Sequence, residues 1–326
     1  MKEEFDVITI GDSTIDTFLI ISKASLERDL EHEEIKLCFK YGDKVPIERS
    51  HQAVGGNAAN VAIGLTKQDY KTGIITEIGD DVNGHVIKKK LEKIGVNTEY
   101  GKVLKEKDTR YSIILHYQSD RTILSNYVDR DYSFPELPKT EFIYYTSLGP
   151  NFGQLQDQMS EYIKNNDVKL ACNPGTYQMK KGMDKLKDIL PQVQYLFLNR
   201  DEAERITGLD NESSINRIIN ALKDIGIDTA VVTAGSEGAF VNYKNQILKM
   251  KPYPLEPTGK TGAGDAMASG FMGAILEGRN TKEALKWGTA NATGVVQNIG
   301  AHEGVLNKKE ISKMIKKFPE IKPEAV

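Results

Sequence analysis

The chain has 326 residues, 39% of them hydrophobic and 27% charged, with a formal net charge of −3, a balance that fits a globular protein in water. It has no basic tail or stripe, which speaks against a nucleic-acid partner; no run of about 18 apolar residues, which speaks against a membrane partner; and no apolar signal core, so a cytoplasmic location is expected. Two distant cysteines, Cys38 and Cys172, and five scattered histidines exclude a disulfide scaffold and argue against a Cys- or His-rich metal site.

Short runs rich in Val, Ile, Phe and Tyr alternate with helical patterns along most of the chain. Phe5 to Gly11 reads as a strand ending in glycine, Asn57 to Gln68 as a helix, Thr72 to Gly79 as a strand, and Asn83 to Gly95 as a helix stopped by glycine. The runs "EFIYYTSL", "VKLACNP" and "QYLFLN" read as strands. Helices are expected over "NFGQLQDQMSEYIKNN", from Met179 to Leu190, and over "RDEAERITG". The stretch "ALKDIGIDTAVVTAG" reads as helix, turn and strand, and two long helices follow Gly264 and Asn280. The lysine-rich pieces Lys88 to Lys90 and Asn307 to Lys317 read as solvated helix faces, and Trp287, the one tryptophan, reads as packing. Repeated strand–helix units of this size predict an α/β fold, with a mostly parallel sheet covered on both faces and ligands at the carboxyl ends of the strands.

Two regions break the rhythm. Asp16 to Val54 holds strand-like pieces around a charged stretch, and Asp108 to Asp131 alternates like a hairpin turning at "QSD". Both fit a small antiparallel sheet standing off the main domain as a lid over about 16–54 and 108–131; the opposing reading is an edge hairpin of the main sheet.

The stretch "PYPLEPTGKTGAGDAMASGF", from Pro252 to Phe271, supports two overlapping readings. Gly259-Lys260-Thr261 resembles the end of a phosphate-binding P-loop, but the first glycine of that motif falls on Pro254, and proline breaks the preceding strand. Gly262, Ala263 and Gly264 instead open a helix of small apolar residues. Free N–H groups there would point outward with partial positive charge, and the glycines leave room for a ligand. Asp265 follows in the first turn. An anion hole beside a carboxylate suits transfer of a charged group to a hydroxyl, although Asp265 as a mere helix cap remains open at this point.

The stretch resembles the C-terminal signature D-T-x-G-A-G-D of the ribokinase-like (PfkB) carbohydrate and nucleoside kinase family. Four further motifs occur in the family's order across nearly the whole chain: "GDSTID" (Gly11 to Asp16), "GGNAAN" (Gly55 to Asn60), "NRDE" (Asn199 to Glu202) and "TAGSEG" (Thr233 to Gly238). The resemblance implies a ribokinase-like three-layer sandwich, a single kinase domain over 1–326, and an ATP- and Mg2+-dependent kinase of a sugar hydroxymethyl group. Asp265 would be the base and Gly262, Ala263 and Gly264 the anion hole. Asp16, Gly55, Gly56, Asn57 and Asn60 would bind the acceptor. Asn199, Thr233, Gly235, Gly238 and Asn291 would meet the nucleotide, and Glu202 with Asn199 would organise Mg2+. In relatives the lid often builds a dimer, so a homodimer is a possible partner arrangement alongside the small-molecule substrate.

The chain departs from the pattern at Gly259-Lys260, where the family has Asp-Thr. Gly259 supplies no carboxylate, which puts activation by a monovalent cation such as K+ in doubt, and Lys260 either replaces that charge or is a plain loop lysine. A nucleoside kinase shares every motif, and Phe39, Tyr41 and Tyr117 in the lid are candidates to stack on a base. A non-catalytic sugar-binding regulator, an NTPase without an acceptor and an ADP-using kinase are the remaining alternatives.

Overall fold

The computed structural model describes residues 4–29, 34–118, 120–259, 261–298 and 300–326. Lys260 therefore lies outside the described residues, and its expected role stays with the sequence.

Within the described residues a nine-stranded sheet runs in the spatial order Glu324–Ala325, Gln246–Met250, Ala239–Tyr243, Thr229–Thr233, Val193–Asn199, Lys169–Cys172, Thr140–Tyr145, Phe5–Ile10, Thr72–Ile75. The strands from Thr229–Thr233 to Thr72–Ile75 are parallel, and the three at the opposite edge are antiparallel. Strand residues are apolar on both sides because alternate side chains enter two different cores. Ile8, Ile143, Leu196 and Val232 join the helices Phe152–Asn165, Met183–Ile189 and Ile215–Asp224 on one face. Val7, Phe142, Phe197 and Val231 join Asn57–Lys67, Ala263–Leu276 and Thr281–Val296 on the other. The result is a three-layer sandwich.

The second face explains the small residues of its helices. A methyl group at Gly64 would lie 2.4 Å from Ser269 Oγ, and one at Gly288 would lie 2.4 Å from Met267 Sδ. Glycine and alanine let these three helices approach one another closely, which fixes the start of Ala263–Leu276 against Asn57–Lys67.

Two elements differ from expectation. The run Thr72 to Gly79 divides at Thr76: Thr72–Ile75 belongs to the main sheet, while Glu77–Gly79 pairs with Lys102–Leu104, and Lys102 N donates to Thr76 O at 2.9 Å. The helix expected from Met179 to Leu190 is two short helices, Thr176–Lys181 and Met183–Ile189. Gly182 separates them with a non-helical backbone, φ −131° and ψ 27°, and only glycine fits there, since the Phe152 ring would sit 2.5 Å from any Cβ.

The lid is a separate four-stranded sheet in the order Asp120–Ser125, Tyr111–Tyr117, Thr14–Ile21, Ile47–Gly55. It is not an edge hairpin of the main sheet. Its outer pairings are antiparallel, but its central pairing, Thr14–Ile21 with Tyr111–Tyr117, is parallel. Ser25–Asp29 and Glu34–Cys38 pair only with each other. Phe39 and Tyr41 are exposed beyond that hairpin, and Tyr117 donates its hydroxyl to Ala24 O. Among the described residues no helix is long and apolar enough to cross a membrane.

Candidate active site

One cleft of about 1600 Å³ runs along the carboxyl ends of the parallel strands, between the lid and the start of helix Ala263–Leu276. The chain forms that helix start with Gly262 at φ 79°, where a Cβ would meet Ala301 O at 2.4 Å. No side chain caps the helix, so its first N–H groups remain available to an anion. Gly262, Ala263 and Gly264 all line the cleft, and beside Gly264 there is open space where a side chain would be.

Asp265 also faces the cleft, yet it is only 7% exposed. Asn60, from the neighbouring helix, donates to its Oδ2 at 2.8 Å. Burial pushes the carboxyl up to about 7, Glu202 and Asp16 push the same way, and the Asn60 hydrogen bond pulls down. Asp265 is therefore more than a cap. The Oδ1 of Asn60 is buried without a hydrogen bond.

Asp16 lines the cleft from the lid strand Thr14–Ile21. Thr14 Oγ1 donates to its Oδ1 at 2.9 Å. Burial raises this carboxyl too, against the hydrogen bonds of Thr14 and Ser112. Gly55 does not itself line the cleft; its role is room, since a Cβ there would stand 2.1 Å from Asp16 Oδ2. Gly56 has φ 89° and would otherwise collide with Asp12 O. Asn57 faces the cleft and donates to Asn173 Oδ1 at 3.1 Å; it is not the helix cap.

Asn199 and Glu202 form a reciprocal capping box on helix Arg200–Thr207: Glu202 N donates to Asn199 Oδ1 at 2.8 Å and Asn199 N to Glu202 Oε2 at 2.9 Å. Both still line the cleft. Burial holds the Glu202 carboxyl above its usual range, opposed first by the Asn199 N–H. Among the described residues no group of three or more His, Cys, Asp or Glu side chains is placed to share a metal ion.

Thr233, Gly235 and Gly238 line the far end of the cleft. Gly235 and Gly238 both have positive φ, and a Cβ at Gly238 would lie 2.1 Å from Met250 O. Asn291 is a correction. It is fully buried and does not line the cleft: its Nδ2 donates to Ala266 O and Ser269 Oγ, and its Oδ1 accepts from Leu306 N. Its amide fastens two helices and the following loop, while Thr289, Ala292 and Thr293 of the same helix reach the cleft. Gly259 N and Thr258 N both donate to Val296 O, which brings the 259 loop against the loop after helix Thr281–Val296.

Several cleft residues had drawn no attention in the sequence. Asp12 is buried and paired with Arg110, with Arg130 Nη1 3.8 Å from its Oδ1 and Tyr132 donating to that oxygen at 3.2 Å. Arg110 Cζ lies 4.6 Å from the centre of the Tyr127 ring, which in turn contacts Tyr177. The only sequence signal was position: Asp12 sits inside "GDSTID", and Arg110 and Tyr127 sit in the lid hairpin. Arg130 is 0% exposed, so Asp12→Ala strands a buried cation. A loss of about 3–5 kcal/mol in unfolding free energy is expected, read as a lower urea midpoint; an unchanged midpoint refutes the pairing.

The chain is similar to known proteins along most of its length. Ribokinase from Haemophilus influenzae is 26% identical over 283 residues, covering 83% of this chain and 90% of its own length. A nucleoside kinase from Methanothermobacter thermautotrophicus is 22% identical, covering 94% of each chain. The solved structure of Arabidopsis thaliana ribokinase complexed with ribose and ATP superposes with a TM-score of 0.78 at 20% identity, over 96% of this chain and 99% of that one. The family model described as pfkB family carbohydrate kinase matches residues 19–308. With most of the chain inside that match, the chain belongs to the pfkB family of carbohydrate kinases, phosphotransferases that act on an alcohol group of a sugar or nucleoside.

Proposed function

We propose that the protein moves the terminal phosphoryl group of ATP onto a hydroxymethyl group of a sugar, with Mg2+. The observation that carries this reading is the buried Asp265 carboxyl, raised to about 7, beside an uncapped helix start in the same cleft as Asp16. A base whose proton affinity lies near neutrality is matched to taking a hydroxyl proton. Asp16 accepts from the acceptor's hydroxyls, held in place by Thr14 and by the space at Gly55. The first N–H groups of the helix hold charge on the phosphoryl group as it transfers. Thr233, Gly235 and Gly238 border the nucleotide end.

The residues fit a magnesium ion that keeps most of its waters. Glu202 offers a hard oxygen facing the cleft, and Asn199 contributes mainly by holding Glu202 in the capping box. When bound, the ion neutralises phosphate charge. Gly259 brings no carboxylate to the 259 loop, so turnover independent of K+ is the expectation.

Tyr127 and Tyr177 line the cleft near Asp12, and their faces favour a nucleoside acceptor as the second reading. A screen of sugars and nucleosides for ADP formation, with ATP replaced by ADP in a parallel series for AMP formation, separates these. Acceptor-independent ATP hydrolysis, or binding without turnover, refutes the kinase.

The pH profile gives a narrower check. Activity in kcat/KM should rise with pH through an acid limb near 7, because the ionised carboxylate is the active form. Asn60→Ala removes the one contact that lowers the proton affinity of Asp265, so the limb should move to higher pH. A limb that stays in place removes Asp265 from the role.

A further inference from the structure

Among the described residues the lid presents to the cleft one arginine whose ion pair is long and exposed. Arg110 is engaged: its guanidinium pairs with Asp12, its Nε donates to Asn126 O, and its Cζ stands over the Tyr127 ring. Arg121 differs. It lies on the lid strand Asp120–Ser125, on the same side as Ile123 and Ser125, and all three line the cleft. Its Nε is shut off from solvent with no hydrogen bond. The carboxylate nearest in sequence, Asp120, is 3.9 Å away and 71% exposed, a pairing worth little in water.

The register of the lid fixes where this charge sits. Asp16 pairs with Ser112, and Ser112 with Ser125, so these three share one row across the sheet. Arg121 stands four residues further along the same strand, about 13 Å at the usual rise. An extended hexose phosphate and an arginine side chain span that distance between them. The acceptor end of the cleft therefore has two poles. Asp16 repels an anionic group and accepts hydroxyls; Arg121 attracts an anion at the opposite end.

Resting on the kinase reading, we infer that the acceptor is an anionic sugar, carrying a phosphate or carboxylate remote from the hydroxyl that is phosphorylated, and that Arg121 is the residue that selects it. Phosphate and carboxylate both match the planar fork of the guanidinium.

The test compares matched acceptors. Fructose 6-phosphate against fructose reads the phosphate arm, and 2-keto-3-deoxygluconate against 2-deoxyglucose reads the carboxylate arm, each by kcat/KM with ATP and Mg2+. At least one anionic acceptor should exceed its neutral partner roughly tenfold to a hundredfold, the range of one charge-assisted hydrogen bond. Arg121→Gln should erase most of that ratio by raising KM for the anionic acceptor, and Arg121→Lys should restore part of it. Circular dichroism confirms that each variant is folded. A preference for the neutral acceptors, an equal loss on both members of a pair, or a rise in KM for ATP instead overturns the inference while leaving the kinase standing. If wild type forms no ADP with any sugar or nucleoside, the kinase reading falls and this inference falls with it.

Discussion

Asp265→Asn should lower kcat by about a hundredfold to ten-thousandfold, the range attributed to a positioned general base, and at the same time make the protein more stable above neutral pH. Both effects come from one buried group. The folded carboxyl has its proton affinity raised from 3.8 to about 7, chiefly by burial. Between those two pH values the unfolded chain releases a proton that the folded chain retains. Ionising Asp265 in place therefore opposes folding, and stability falls as pH climbs through that window. An uncharged amide escapes the penalty and can still accept from Asn60. At about 1.4 kcal/mol per pH unit, the variant should gain on the order of a few kcal/mol at pH 8 and nearly nothing below pH 4. Urea unfolding at the two pH values, with turnover measured beside it, checks both. Lost turnover with no gain in stability at pH 8 would mean that the carboxyl is not held uncharged by its surroundings; gained stability with full turnover would mean that it is not the base.

Gly264→Ala should separate folding from function in the opposite manner. An added methyl group meets nothing within 4 Å, and alanine favours a helix over glycine by up to about 1 kcal/mol. The variant should therefore melt at or slightly above the temperature of the parent. The methyl nevertheless enters the space in front of the helix N–H groups, where a phosphoryl group must approach. A fall in kcat of roughly a hundredfold is expected, the scale of losing one donor to a developing charge. Near-parental turnover would place the transferred group elsewhere in the cleft. Gly262→Ala is not an equivalent experiment, because φ 79° and the contact with Ala301 O would disturb the backbone itself.

Much of the fold was legible because the parallel sheet announces itself. Strands such as Phe5–Ile10 and Val193–Asn199 are apolar on both sides, and glycines at 95 and 208 end their helices in left-handed caps. The divided helix after Thr176 was not legible, since what requires glycine at its break is the ring of Phe152, distant in sequence. Nor was the parallel pairing at the centre of the lid, because alternation within Thr14–Ile21 says nothing about which strand lies beside it. The site was legible where it is made of local motifs. Asp265 was named from a glycine-rich helix start, Asp16 and Glu202 from motifs that resemble the family's, and all three face one cleft. Asn291 was misread because a polar residue among small ones fits a ligand contact and an interhelical fastening equally well; only the partners at Ala266, Ser269 and Leu306 distinguish them. Arg110 and Arg121 were overlooked in a hairpin that carries many charges, and what separates them is pairing in space.

The parallel joint within the lid also sets an order of assembly. Ile15 meets Tyr111 and Phe18 meets Ile114 only after the intervening chain, including strand Thr72–Ile75 and helix Val82–Ile94, has been laid down. Closing so long a loop costs entropy that contacts local to the lid do not offset. The lid should therefore form late, detach early, and exchange its amide hydrogens as one unit ahead of the central strands. A cover that loosens at its outer strands, while Ile15 and Val54 stay packed on Ile63 and Ile74, would let small molecules enter and leave with the central strands undisturbed.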